Sequence, residues 1–392
     1  MTKLGMTWQS SGPPSLLLNY KRGVRSGSGM VGVLEQLQIR KVEVSPAVVD
    51  WLLEEEEPSV RYNTLVHLLE REHHDVEVER AGGLIGKVGW AAQFFARQKE
   101  NTYWDNSESC YVPKFSACSW RLVVLADLGI SGEDQRTRNC VEHYMSLHNV
   151  EEGGFAVRQR QPPKGVKEWQ FQPHVCATGN MVRTLAKLGY ARDDRVRKAA
   201  DWLVSKQLVD GGWNCSSPGK HGSFTATVQP IWGLNEMARQ ESSERWSESA
   251  RKGAEFLLKH RVYKSDENDS VVLFDFLKMH YPMHYFYDFL HGLRVLTEAG
   301  VRDDPRMNDA VRVLMAKRLP DGRWPLEGVY RGWRHAHPIH GLETVSRPEE
   351  REIVTEGWGT ERAIQLEEAG KPSKWITLQA LCVLRRLDIL QL

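Results

Sequence analysis

The segment DDRVRKAADWLVSKQLVDGGW at residues 193–213 recurs as DPRMNDAVRVLMAKRLPDGRW at residues 304–324, and the two copies align without a gap. Each copy has apolar residues at helical spacing and ends in a Gly-containing turn closed by Trp. Other apolar helices of similar length end at LADLG (125–129), LAKLG (185–189), LTEAG (296–300) and LRRLD (384–388). The repeat interval of about 50 to 58 residues fits a helical hairpin plus a loop.

Weaker copies of the same turn are present at FFARQKENTYW (94–104) and YMSLHNVEEGGF (144–155). Strand signals are nearly absent, since the chain has no Asn-Gly turn and no long alternation of apolar and polar residues. We therefore predict an all-α fold of five or six hairpins. An open armadillo-like solenoid and a closed ring both remain possible at this point. In a closed ring the starts of the inner helices would face one cavity: PKFSACSWRL, PHVCATGNMV, GSFTATVQPI, MHYFYDFLHG and PSKWITLQAL.

Composition indicates a globular protein without a strongly charged partner. The chain has 392 residues, of which 41% are apolar, and 52 Lys and Arg balance 51 Asp and Glu. A formal charge of +1 gives no reason to expect nucleic acid as a partner. Six cysteines without CxxC pairs, and no apolar span of about 18 residues, predict a cytoplasmic protein with reduced thiols and no transmembrane segment. Peripheral contact with a membrane remains open.

Three parts of the chain differ in composition. Residues 1–43 are rich in Gly, Ser, Lys and Arg and are predicted to form a flexible N-terminal arm. Residues 44–392 are predicted to form a single domain, in which residues 325–374 make a long loop or lid. Near the start of this domain, the acidic run EEEEPS (54–59) is predicted to be a solvated helix end.

The helix ends carry the motif of a known family. WLVSKQLVDGGW has a helix that ends in Gln, followed by a short gap and Gly-x-Trp, and MAKRLPDGRW has Arg318 in place of the Gln. This pattern resembles the prenyltransferase and squalene-cyclase α/α toroids, and the resemblance covers residues 45–392. It implies two concentric rings of helices, with Gln207, Trp213, Trp324 and Trp104 as scaffold residues that join neighbouring hairpins.

The resemblance implies two activities. Squalene-type cyclases protonate an isoprenoid with an Asp of a DxDD motif, which this chain lacks; RDDR (192–195) and RDDP (302–305) are predicted to be helix caps. Protein prenyltransferases instead hold zinc with an Asp and a Cys at one inner helix and a His at the next. The corresponding positions here offer Cys215, His221 and Asp288, although the Asp-x-Cys pair is not in its expected place.

A zinc site formed by Cys215, His221, Asp288 and Cys176 is our metal prediction, because all four residues come at or just before inner-helix starts. Zinc is accordingly the predicted cofactor. Two other interpretations remain: Cys176 and Cys215 are small buried core residues, or one of them is a thiolate nucleophile activated by a helix N-terminus.

Aromatic and basic residues near the same helix starts are the remaining site candidates. The segment VVLFDFLKMHYPMHYFYDFLHGL (271–293) could line an isoprenoid pocket or simply form core. The predicted catalytic residues are Asp288, Tyr287, Tyr285 and His284. The predicted substrate-binding residues are His174, Trp120, Arg331, Arg334 and Lys374, the arginines being suited to a diphosphate.

The sequence thus predicts a prenyltransferase-like or terpene-cyclase-like enzyme that binds an isoprenoid or other hydrophobic small molecule in the toroid, with possible help from zinc. One alternative is a carbohydrate-active α/α-barrel hydrolase or lyase that uses Glu168 beside Trp169 and either Asp275 or Asp288. The other is a non-catalytic repeat protein with a cavity filled by side chains.

Overall fold

The computed structural model describes residues 41–157, 173–215, 220–284, 286–328 and 364–391. These residues contain thirteen α-helices and two short strands. The helices are α1 (Pro46–Leu52), α2 (Pro58–Asn63), α3 (Val76–Leu84), α4 (Gly89–Phe95), α5 (Cys118–Leu128), α6 (Gln135–His148), α7 (Val175–Leu185), α8 (Asp194–Ser205), α9 (Phe224–Glu241), α10 (Glu244–Lys259), α11 (Phe289–Glu298), α12 (Asn308–Ala316) and α13 (Lys374–Arg386). The strands are β1 (Val42–Glu43) and β2 (Leu390–Gln391).

Six of these helices form a closed inner ring. Helix α2 contacts α5, α5 contacts α7, α7 contacts α9, α9 contacts α11, α11 contacts α13, and α13 returns to α2. The other helices pack outside this ring: α6 contacts α5, α8 contacts α7, α10 contacts α9, and α12 contacts α11. The prediction of an all-α toroid is therefore confirmed, and the open solenoid is excluded by the contact between α13 and α2.

Burial follows this division into two rings. All eleven residues of the inner helix α5 are buried, as expected for a helix with neighbours on every side. The outer helix α10 instead buries a single face, which includes Trp246, Ala250 and Leu257, and exposes the charged residues between them.

A repeated hydrogen bond explains why three of the hairpins end in Trp. The indole N–H donates to the backbone carbonyl ten residues earlier in three copies, at 2.7 to 2.8 Å: Trp104 to Phe94, Trp213 to Leu203 and Trp324 to Leu314. All three tryptophans are buried. Their predicted role as scaffold residues is confirmed.

Gln207 of the motif and Arg318, which replaces it in the other copy, both hydrogen-bond to backbone carbonyls in their own turn and in another element. Gln207 Nε2 donates to the carbonyls of Gly211, at 2.7 Å, and Ser249, at 2.9 Å, so it joins its own turn to the next outer helix. Arg318 donates to the carbonyls of Gly322, at 3.3 Å, and Glu43, at 2.9 Å. The longer Arg side chain therefore reaches from the last hairpin to the first strand.

The residues that begin and end the helices also recur from one hairpin to the next. Gly129, Gly189 and Gly300 end their helices with φ near +90°, a conformation in which Gly has no steric penalty. The carboxylates of Asp193 and Asp304 accept hydrogen bonds from the N–H groups two residues later, as helix caps do. The prediction that RDDR and RDDP are caps is confirmed.

Both ends of the described chain meet at the junction of the ring. Strand β1 pairs in parallel with β2, with Val42 opposite Leu390 and Glu43 opposite Gln391. Two ion pairs lie near this junction, Lys374 with Glu54 at 2.6 Å and Arg385 with Glu70 at 2.7 Å. No helix of the described residues is both long and apolar enough to cross a membrane.

Candidate functional site

Residues at the starts of inner helices contact the starts of other inner helices, and residues at helix ends contact other helix ends. The inner helices therefore run in the same direction. Cys176 and Cys215 meet near the starts of α7 and α9, for example, and Asp127 and Arg183 meet at the ends of α5 and α7. The ring therefore has one rim made of helix N-termini and one made of C-termini, and the predicted site residues that the structure describes lie near the first.

A cluster of aromatic rings lies at the N-terminal rim, and we call it the aromatic mouth: Tyr111, Phe115, Trp120, His284 and Phe286. The ring of Trp120 is at its centre, 4.8 Å from Tyr111, 5.3 Å from Phe115 and 5.6 Å from His284, between ring centroids. The indole N–H of Trp120 donates to the carbonyl of Tyr111 at 2.8 Å, which fixes the orientation of its ring.

His284 is held in this cluster by its backbone and its surroundings. Its carbonyl accepts a hydrogen bond from Asn180 Nδ2 at 2.9 Å, and its φ of +48° turns the chain sharply. Burial, reinforced by the charge of Arg121, lowers the pKa of His284 to about 3. The ring is therefore neutral at pH 7 and contributes an apolar face.

A second group of rings continues around the rim. The rings of Tyr281 and Trp375 stack at 4.8 Å, and Trp90 meets Trp375 edge-on at 6.4 Å. The Tyr281 hydroxyl and the Trp375 indole N–H are buried and have no hydrogen-bond partner within the described residues. Two more such atoms are Gln229 Oε1 and His291 Nδ1, on neighbouring inner helices. Buried polar atoms in native proteins usually have partners, so these four are exceptions.

Two carboxylates lie beside these rings at the starts of α2 and α13. Glu57 is 7% exposed, and burial raises its pKa to about 7, with a further contribution from the nearby charge of Glu367. Glu367 accepts hydrogen bonds from the hydroxyl of Ser373 and the N–H of Lys374, yet burial still raises its pKa. The acidic run was predicted to be solvated. Glu54, Glu55 and Glu56 are indeed exposed, but Glu57 is buried.

The predicted catalytic residues on the segment before α11 occupy structural positions. Both oxygens of Asp288 accept backbone hydrogen bonds, from His291 at 2.8 Å and from His280 at 2.9 Å, and its side chain caps α11. The Tyr287 hydroxyl donates to the carbonyl of Val262, and its ring packs against Phe224 and Phe276. Tyr285 lies outside the described residues.

The predicted substrate-binding residues divide into three groups. Trp120 belongs to the aromatic mouth. His174 directly precedes α7, and burial together with the charge of Lys114 lowers the pKa of His174. Lys374 does not point to an open site, because its ammonium group binds the carbonyl of Trp51 and the carboxylate of Glu54. Arg331, Arg334, Glu168 and Trp169 lie outside the described residues.

The predicted zinc ligands are not brought together. Cys215 Sγ accepts a hydrogen bond from the N–H of Cys176 at 3.4 Å, but His221 is exposed on its loop and Asp288 caps a helix. Within the described residues, the only three ligand atoms lying within 4.8 Å of one another belong to Cys110, Cys118 and His143. Cys176 and Cys215 therefore lie side by side, but no third predicted ligand joins them within the described residues.

The C-terminal rim holds a buried network of charges. Asp127 forms ion pairs with Arg183 at 2.6 Å and with Arg294 at 3.4 Å, and the guanidinium of Arg183 lies 3.1 Å from the centroid of the Trp232 ring. Burial alone would raise the pKa of Asp127, but the two arginines outweigh it and lower the pKa to about 2. The two ends of the ring thus differ, one lined by aromatic rings and the other by paired charges.

Sequence reasoning missed Glu57, Glu367 and Tyr281. A signal was available for Glu57, because it directly precedes Pro58 at the first helical position, where a carboxylate can approach backbone N–H groups. No local signal was available for the proximity of Glu57 to Glu367, which depends on closure of the ring.

Comparison with known proteins gives similarity in structure. No protein-family model matches the sequence, and no curated relative matches it. The chain is similar to the apo structure of type II terpene cyclase MstE from Scytonema, with 14% identity over 85% of this chain and 86% of that chain and a TM-score of 0.42. It is also similar to an Arg-to-Ala variant of that enzyme in complex with geranylgeranyl dihydroxybenzoate, with 13% identity, 85% and 87% coverage and a TM-score of 0.39.

Proposed function

We propose that this chain is a terpene-cyclase-like enzyme that binds an isoprenoid or similar hydrophobic substrate inside the toroid, at the rim formed by the inner-helix N-termini. The observation that carries the proposal is the aromatic mouth around Trp120, continued by the stacked rings of Tyr281 and Trp375. Aromatic faces bind hydrocarbon chains and stabilise cations through the ring quadrupole. A neutral His284 leaves this wall without a positive charge that would repel a carbocation.

Glu57 is the proton donor in this proposal. With a pKa of about 7, about half of its side chains carry a proton at neutral pH, whereas an exposed Glu would carry almost none. Transfer of that proton to a carbon–carbon double bond uses the π electrons to form a C–H bond and leaves a carbocation and the Glu57 carboxylate. Glu57 thereby replaces the acid of the missing DxDD motif, because burial raises its pKa, whereas Asp288 is held as the side-chain cap of α11.

Zinc-assisted transfer to a thiol or water nucleophile is not part of this mechanism, because Cys176, Cys215, His221 and Asp288 do not form a cluster of ligands. Zinc also has no role in protonating a double bond. The cyclase mechanism needs only a buried acid and an apolar wall. Glu57 is such an acid, the aromatic mouth is such a wall, and both lie on the same rim.

One observation favours the carbohydrate-active alternative. Glu57 and Glu367 are two carboxylates with raised pKa values, and the rings of Trp90, Trp375 and Tyr281 beside them could stack on sugars. Paired carboxylates and aromatic platforms are the components of a glycoside hydrolase site. The two activities therefore share candidate residues and differ in substrate.

The test is incubation of the full chain with linear isoprenoid alcohols such as geranylgeraniol, with products identified by mass spectrometry and binding followed by tryptophan fluorescence. We expect cyclised isomers of unchanged mass. Glu57→Gln should abolish turnover and retain binding, Trp120→Ala should weaken binding at least tenfold, and Glu56→Gln, at an exposed neighbour, is the matched control. Absence of binding, together with stabilisation of the chain by soluble oligosaccharides, would refute the isoprenoid proposal.

A further inference from the structure

Three potential metal ligands meet beside the aromatic mouth, between α5, α6 and the loop before α5, and a fourth candidate, Cys140, neighbours one of them. One ligand atom from each of Cys110, Cys118 and His143 lies within 4.8 Å of the other two. The thiol of Cys140 lies near that of Cys118, close enough for each to shift the pKa of the other. All three cysteines are fully buried and reduced.

Each of the four side chains comes from a position that the fold fixes. Cys118 is the first residue of α5, and Cys140 and His143 are three residues apart on α6, so they share one face of that helix. Cys110 belongs to the loop, where its N–H donates to His148 at 2.9 Å and its carbonyl accepts from Ser119. The cluster therefore joins one loop and two helices.

Hydrogen bonding distinguishes the two histidines near these thiols. Both ring nitrogens of His148 have partners, Nε2 with the N–H of Cys110 and Nδ1 with the carbonyl of Ala156 at 2.8 Å. His143 differs, because its Nε2 is buried and has no hydrogen-bond partner within the described residues. Its lone pair is available to a cation, whereas His148 orients Cys110 from the second layer, a common arrangement around metal ligands.

We propose that Cys110, Cys118 and His143, with Cys140 as the fourth ligand, form a structural zinc site. A closed set of three thiolates and one imidazole is typical of structural zinc, which takes four ligands in a tetrahedron and leaves no position for substrate. The site is separate from the predicted zinc residues and does not depend on the proposed enzymatic activity.

The site has a defined structural role. Residues 105–117 contain no helix or strand, yet this loop carries Tyr111 and Phe115 of the aromatic mouth. A metal bound to Cys110 fixes the middle of the loop to α5 and α6. Binding energy at such a site is folding energy, so the chain with zinc should unfold at a higher temperature than the chain without it.

The test is metal analysis of the full chain purified under reducing conditions without chelator. We expect about one zinc per chain, with at least a fivefold loss in Cys118→Ser and in His143→Ala. Cys215→Ser is the matched control and should keep its zinc. Because a buried-cysteine variant could fail to fold, cobalt is also exchanged into the unaltered chain, where thiolate-to-cobalt charge transfer and tetrahedral d–d absorption report the ligand set directly. Cys140→Ser should weaken the charge-transfer band by about a third.

Three results would overturn the proposal. The first is a folded chain that contains no zinc and gains none on incubation with zinc and reductant. The second is octahedral cobalt without thiolate absorption. The third is a disulfide between Cys110 and Cys118 in the protein as isolated from cells with free thiols blocked. Full thiolate absorption in Cys140→Ser would contradict the assignment of the fourth ligand.

Discussion

Glu57 accepts hydrogen bonds from the backbone N–H of Trp90 through both carboxylate oxygens, at 3.2 and 2.9 Å, and so joins the start of α2 to the start of α4. Burial nevertheless raises the pKa of Glu57 from 4.5 to about 7. Between these pH values the folded chain holds a proton that the unfolded chain has released. Stability from this group is therefore complete below pH 4.5 and is lost as the pH rises through 7, by up to about 3 kcal/mol.

This pH dependence should disappear in Glu57→Gln. Urea unfolding of the unaltered chain and the variant from pH 5 to pH 9 measures it, and the difference between the two curves should change from pH 5 to pH 7 and level off above pH 7. Glu56→Gln, at an exposed position, should follow the unaltered chain. Parallel curves for Glu57→Gln and the unaltered chain would show that Glu57 ionises normally.

A second prediction concerns the two threonines that hydrogen-bond to the backbone of the turn tryptophans. The hydroxyl of Thr227 accepts from the N–H of Trp213 at 2.9 Å and donates to its carbonyl at 3.3 Å, and Thr377 does the same for Trp324 at 2.9 and 3.4 Å. Replacement of either Thr by Val leaves a buried N–H without its partner. Each variant should lose about 1 to 3 kcal/mol of unfolding free energy.

Chemical denaturation of Thr227→Val and Thr377→Val provides the measurement, and the two losses should be similar because the repeats are equivalent. Thr225→Val is the control, on the same helix but at a partly exposed position. If Thr225→Val lost as much unfolding free energy as Thr227→Val and Thr377→Val, the effect would be due to helix propensity and not to the lost hydrogen bonds.

Asp127 provides a third prediction, because it is the shared partner of two buried arginines. Asp127→Asn keeps the shape but leaves both guanidinium groups without this charge, so it should destabilise the chain by roughly 3 to 5 kcal/mol. Asp303→Asn, on the exposed turn before α12, should have almost no effect. Thermal unfolding measures both. The carboxylate of Glu298 lies 3.0 Å from Arg294. Equal stability of the two variants would show that Glu298 alone is sufficient to neutralise the arginines.

A fourth prediction separates the structural and chemical roles of Asp288. Asp288→Asn keeps an oxygen to cap α11, whereas Asp288→Ala removes the cap and should cost about 1 kcal/mol more. Under our proposal Asp288→Asn also keeps its turnover of an isoprenoid substrate, whereas Glu57→Gln does not. Loss of turnover in a stable Asp288→Asn protein would return Asp288 to the catalytic role predicted from the sequence.

Much of the fold could be predicted because the repeated features are local. The turn that contains Trp213, the cap at Asp193 and the helix end at Gly189 are each determined by a few neighbouring residues, and each recurs elsewhere in the chain. Closure of the ring could not be derived from those residues. It depends on contacts between α13 and α2, which lie at opposite ends of the sequence and share no motif.

The residues of a candidate site are harder to predict from the sequence than the fold is. Helix starts do gather at one rim, and Trp120 does lie there among other rings. Chemical type alone, however, could not distinguish a ligand from a cap at Asp288 or an exposed loop residue at His221. The raised pKa of Glu57 was also beyond sequence reasoning, since it arises from neighbours that only the folded ring supplies.

The parallel pairing of β1 with β2 constrains how this protein can be made and re-engineered. On the ribosome, the early hairpins can pack in order, but α2 lacks its ring neighbour α13 until Lys374–Arg386 has emerged. The same proximity makes the domain a good candidate for circular permutation. A short linker could join residue 391 to residue 41, and new termini could open in the exposed loop at 266–270, which leaves every inner helix intact.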